Sequence, residues 1–91
     1  MGANVKKEYS APLPTVWETA LVVLEDLKVE YEIRDYDYSH GRIDGEMVDG
    51  KKMVMKFGQE SENLTEVAIR IRPSDNRKTA ESIHDRISAE L

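Results

Sequence analysis

Asp35, Asp37, Ser39 and Glu46 stand at the first, third, fifth and twelfth places of D-Y-D-Y-S-H-G-R-I-D-G-E. That spacing could wrap oxygen ligands around a calcium ion. An EF-hand loop also needs glycine at its sixth place and an aliphatic residue at its eighth. In this register those places hold His40 and Arg42. Moving the frame on by one supplies Gly41 and Ile43, but Tyr36, Tyr38 and His40 then occupy ligand places and Met47 ends the loop. The flanks read as strands, where the motif requires helices. The window is therefore read as strand, turn at Ser39-His40-Gly41, and strand, with no cofactor or resident metal expected. A looser calcium or zinc site would draw on Asp35, Asp37, His40, Asp44 and Glu46, and that is the third functional reading of the chain.

Other chemistry is harder still to assemble. The serines have no histidine in a recognisable context, and no glycine-rich loop precedes a helix to cradle phosphate. Carboxylates abound, but nothing apolar surrounds them to raise a pKa. No enzyme is expected. Cysteine is absent, which excludes disulfides, thiolate metal sites and cysteine nucleophiles. Eighteen acidic and 13 basic residues give a net charge of −5, with Lys and Arg interleaved among Glu and Asp. That balance argues against nucleic acid, whose binders present a basic face to phosphate. The longest apolar run, Ala20 to Leu24, is far too short to cross a bilayer, so no membrane insertion by these residues is expected. Trp17 reads as a core anchor; the alternative is a wall of a small-ligand pocket between the sheet and the second helix. His84 reads as a partly buried flank of that helix.

The elements that would position these residues are clearer. Residues 1–4 are expected to lead in without structure, and Val5 to Tyr9 reads as a strand. Pro12 and Pro14 suit the first turn of a helix from Leu13 to Leu27, whose stripe is Val16, Ala20, Val23, Leu24 and Leu27, widened by Trp17 and Leu21. Tyr31 to Tyr38 is strand-like, but Tyr31 and Ile33 share one face while Tyr36 and Tyr38 take the other. A bulge near Arg34-Asp35 would restore the phase. Arg42 to Met47 and Lys51 to Phe57 alternate around Val48-Asp49-Gly50. A two-residue turn there would put lysines on the core face. A three-residue loop with Gly50 left-handed pairs Ile43 with Met55 and Glu46 with Lys52, and is the reading adopted. Gly58 to Asn63 is expected as a polar loop. In Leu64 to Arg72, Val67, Ile69 and Ile71 point inward. Ser74 to Asn76 offer caps for a last helix with the stripe Ala80, Ile83, Ile87 and Leu91.

One α+β domain over residues 1–91 follows: β-α-β-β-β-β-α, a five-stranded antiparallel sheet of order 2-3-4-5-1, both helices on one face. The plan resembles one TATA-box-binding-protein-like repeat, or a small helix-grip, in fold alone. The uncovered face would carry Lys52, Val54, Lys56, Glu66, Ala68, Arg70 and Arg72, with Asp44 and Glu46. Such a face can be simply solvated and steadied by opposite charges across strands, or it can dock a partner protein. A monomer is expected.

Together, YSAPLPTVWETALVVLEDL, the Asp49-Gly50-Lys51 hairpin and EVAIRIR before a short last helix resemble a bacterial family of small envelope lipoproteins of unknown function. Pro12, Val16, Trp17, Asp49, Gly50, Ile69 and Arg70 carry the resemblance, which spans Tyr9 to Leu91. It implies a location in the cell envelope, held by a signal peptide and a lipid-bearing cysteine that these residues do not contain; the alternative is cytoplasmic. It supplies no catalytic or binding residues. The Ala-Pro-x-x-x-Val-Trp opening also resembles the first helix of Bet v 1-like, START-related lipophile binders, but this chain is too short to enclose their cavity. The reading taken forward is a non-enzymatic accessory or protein-interaction module.

Overall fold

The Val48-Asp49-Gly50 loop sets the register of the central sheet. Gly50 takes φ +88°, a left-handed conformation that glycine adopts without strain. The N–H of Gly50 donates to the carbonyl of Met47, and that of Met47 to Lys51. The loop aligns β3 (His40–Glu46) with β4 (Lys52–Ser61), so Ile43 faces Met55 and Glu46 faces Lys52, as the three-residue loop predicts. In a computed structural model that describes residues 4–73 and 77–91, these strands lie in a five-stranded antiparallel sheet. The other strands are β1 (Asn4–Tyr9), β2 (Glu30–Tyr36) and β5 (Leu64–Arg72), in the spatial order β1-β5-β4-β3-β2. Asn4, expected ahead of the fold, opens β1 opposite Arg70. Residues 1–3 and the expected caps at Ser74 to Asn76 lie outside the described residues.

Helices α1 (Leu13–Asp26) and α2 (Arg77–Glu90) supply the apolar cover. Leu13, Val16, Trp17, Ala20, Val23 and Leu24 are buried on α1. Beneath them lie Ile43, Met53, Met55, Phe57, Val67, Ile69 and Ile71, the inward set of three strands. Pro12 gives α1 no side-chain cap, so the Leu13 N–H finds the Gln59 side-chain oxygen at 3.2 Å. The C-terminus closes through Lys28, left-handed at φ 60°: its N–H donates to the Glu25 carbonyl and that of Val29 to Leu24. This crossed pair of bonds is a Schellman motif, with Val29 buried near Leu24. No helix among the described residues is long and apolar enough to cross a membrane.

Four expectations need correction. β4 does not stop at Phe57 but runs to Ser61, turning into β5 at Glu62-Asn63. Gly58 to Ser61 lacks the apolar alternation that marks a strand, because Gln59 serves the helix terminus instead of the core. The β2–β3 turn lies at Asp37 to Ser39, and Gly41 belongs to β3. A Cβ on Gly41 would come within 2.5 Å of Trp17 Cζ3, so glycine is needed there for the indole, not for a turn. Leu91 is half exposed beyond α2, and His84 takes its place in the buried stripe. The bulge falls where the phase shift requires it, between Ile33 and Asp35, and it turns Tyr36 inward.

Candidate functional site

The window around residues 35–46 closes on itself. Asp37 Oδ1 accepts from the Ser39 N–H at 2.8 Å, the Ser39 hydroxyl at 3.1 Å and the His40 N–H at 3.0 Å. The backbone N–H of Ser39, chiefly, holds the Asp37 carboxyl below its ordinary pKa. His40 Nε2 lies 2.7 Å from Asp35 and Nδ1 3.2 Å from Asp37. Of the five candidate ligands, the fold therefore brings Asp35, Asp37 and His40 together. Asp44 is held instead by Arg42 at 2.9 Å and Arg34 at 3.8 Å, and Glu46 by Lys52. Among the described residues, the carboxylates close enough to share an ion are Glu8, Glu60 and Glu66, at the opposite edge of the sheet. Their crowding, first through Glu8, pushes the Glu60 carboxyl above its ordinary pKa.

The face away from the helices is charged in blocks. Side chains on it follow from the registers: Asn4, Lys6 and Glu8 on β1; Glu66, Ala68, Arg70 and Arg72 on β5; Lys52, Val54 and Lys56 on β4; Arg42, Asp44 and Glu46 on β3. Opposite charges across strands were the expected stabiliser of this face, and Glu46–Lys52 and Asp35–Arg42 are such pairs. The registers more often oppose like charges: Lys52 faces Arg72, Arg42 faces Lys56, Glu8 faces Glu66, and Glu32 faces Asp44. Each such pair works against the sheet. Between the blocks lies a concavity of about 180 Å³ lined by Asn4, Arg42, Val54, Lys56, Ala68, Arg70 and Arg72. The Arg70 Nε is buried in it without a hydrogen-bond partner among the described residues. Lys56, Arg70 and Arg72 make no ion pair among those residues either.

A family model described as "Protein of unknown function (DUF3568)" matches residues 1–90. The chain belongs to that family. Comparison with curated proteins gives no match.

Two further sites in this DUF3568 chain are structural in their contacts. Trp17 stacks on Tyr36, ring centres 4.3 Å apart, and meets Phe57 edge-on at 4.8 Å. Its ring is thus enclosed by aromatic neighbours and Gly41. Sequence reasoning missed the role of His84, which is buried between α2 and β1. Its Nε2 donates to the Val5 carbonyl at 2.7 Å, which leaves Nδ1 to accept from the Tyr9 hydroxyl at 2.6 Å. Burial holds the imidazole below its ordinary pKa and pushes the Tyr9 hydroxyl up to about 12. The signal was present in the spacing: Ala80, Ile83, His84 and Ile87 are the i, i+3, i+4 and i+7 positions of one helix face.

Proposed function

We propose that this chain is a non-enzymatic accessory module that docks a protein on the open face of its sheet. The observation that carries the reading is the unpaired state of Lys56, Arg70 and Arg72 among the described residues, on a face that no described helix covers. A merely solvated face gains from opposite charges across strands. This one opposes like charges at its centre, which is the pattern of a surface awaiting a complementary one. The envelope placement rests on the resemblance to small bacterial lipoproteins, with the domain held at a membrane by an anchor outside these residues. The TATA-box-binding-protein-like or helix-grip plan accords with such a role, because helices gathered on one face leave the other for contact.

Photocrosslinking in cells tests the docking. A crosslinker placed at Lys6, on the same face beside Ala68, gives a discrete adduct that is missing when the crosslinker replaces Glu18, on the exposed side of α1, and is lost in Arg70→Glu. Equal adducts from both positions, or none from Lys6, overturn the reading.

A further inference from the structure

We infer that the docked partner presents a short segment with an acidic centre and basic flanks, its carboxylates seated in the concavity around Arg70; this rests on the docking reading above. Three observations converge on an anion. Lys52 and Arg72 are placed directly opposite each other, as are Arg42 and Lys56, so positive charge is concentrated on β4 and β5 in a chain whose net charge is −5. Lys52 and Arg42 already hold Glu46 and Asp44, leaving Lys56, Arg70 and Arg72 with charge to spare. The Arg70 Nε–H is withdrawn from water and unpartnered among the described residues, and a guanidinium N–H in that state is a donor in search of an acceptor.

Size and surroundings narrow the class. About 180 Å³ is the liquid volume of on the order of six waters, enough for a carboxylate-bearing side chain and too little for a large ligand. Val54 and Ala68 form an apolar floor between the cations, where the stem of a glutamate or aspartate can rest. Beyond the cations the open face turns acidic in two directions, while Asn4 and Lys6 border it on β1. Along β4 and β5, past Ala68, Glu8, Glu60 and Glu66 crowd one corner, and across β3 and β2 lie Asp44, Glu46, Glu32 and Glu30. A nucleic acid, with charge at every phosphate, would be carried from the cations onto these carboxylates. A protein segment that is acidic only at its centre gains from all three zones.

The test uses the full chain, isotopically labelled, and two short peptides of identical composition. One has central glutamates between lysines; the other has the glutamates moved to its ends. The acid-centred peptide shifts the Arg70 Nε–H resonance and the amides of Val54, Lys56 and Arg72 in a saturable way. The rearranged peptide binds at least about tenfold more weakly, as does the first peptide to Arg70→Gln or, independently, to Lys56→Gln, since a lost charged hydrogen bond is worth about a factor of ten. Equal binding of the two peptides overturns the inference. So does inorganic phosphate that saturates the same resonances as tightly, which would make the site a simple anion pocket. Concentration-dependent shifts of these resonances without any peptide also overturn it, by making a second copy the occupant. If the peptide fails while the Arg70-dependent adduct at Lys6 forms, docking stands and the acidic partner falls. If both fail, both fall.

Discussion

Ile69 and Arg70 are successive residues of β5, and they meet opposite treatment. Ile69 is fully buried between Val5 and Met55, both cross-strand neighbours apolar. Arg70 stands between Asn4 and Val54 with its Nε unpartnered among the described residues. The difference runs the length of the sheet. On the covered face the aromatic and polar side chains meet complementary neighbours: Trp17 over Gly41, Tyr36 against Trp17, Tyr9 and Val5 on the two nitrogens of His84. On the open face the neighbours are often of like charge. One side of the sheet satisfies the demands of folding; the other leaves some of them unmet, and folding alone gives no reason for that.

The largest effect is expected at Ile69. Ile69→Ala removes buried methyl groups from a packed core and should cost about 2–5 kcal/mol, read as a lower denaturant midpoint. Arg70→Met, one residue on, keeps the aliphatic stem and removes the unpartnered donor. It should not destabilise, and loss of a buried donor without a partner should raise stability by about 1 kcal/mol. A loss at Arg70→Met comparable with that at Ile69→Ala would show that the guanidinium serves the fold after all.

A smaller effect tests whether the covered face is as well satisfied as its contacts imply. His84 is held neutral by burial, with the charge of Lys7 acting in the same direction and Asp85 against it. Its folded pKa lies below the ordinary value near 6.5, so the unfolded chain takes up the proton first. The stability this imidazole contributes is therefore present above pH 6.5, and falls as pH drops through 6.5 toward the depressed folded value. His84→Gln keeps a donor for Val5 and an acceptor for Tyr9 but does not titrate. Urea midpoints measured from pH 7 to pH 5 should fall more steeply for the native chain than for this variant. Parallel profiles would mean that His84 keeps its ordinary pKa in the fold.

The two faces were also unequally legible in the sequence. The covered face announces itself by period: Val67, Ile69 and Ile71 alternate, α1 repeats at helical spacing, and the slipped phase of Tyr36 located the bulge at Arg34. What escaped on that side is specific to polar or small residues with a packing role. Gly41 looks like a turn until the indole above it is seen, and Gln59 looks like a loop until the helix terminus it serves is known. His84 sits in the stripe, but its residue type conceals its burial. On the open face alternation names the residues correctly, Lys52 through Arg72. The charge pattern is another matter, because it exists only across strands. Glu46 opposite Lys52 follows from one hairpin loop, whereas Lys52 opposite Arg72 and Glu8 opposite Glu66 need the registers of β4–β5 and β1–β5, which no local turn signal gave.

That pattern yields the smallest effect and the most direct test of whether the open face was shaped by folding. Glu66 is flanked by Glu8 across β1 and lies within reach of Glu60, so three carboxylates crowd one corner of the sheet. Glu66→Lys sets an ammonium between the two remaining carboxylates. It exchanges a like-charge cross-strand pair for an opposite one, and the gain should be a few tenths to about 1 kcal/mol in denaturant midpoint at low salt. The same change takes negative charge from the flank of the Arg70 concavity, where the basic ends of an acid-centred partner would rest, so affinity for the acid-centred peptide should fall while stability rises. Such a variant, more stable and a poorer binder, would show that the acidic corner is kept at a cost to the fold. A variant that is less stable would instead mean that the three carboxylates are held by contacts that outweigh their repulsion, and that this corner of the open face obeys the same rule as the covered one.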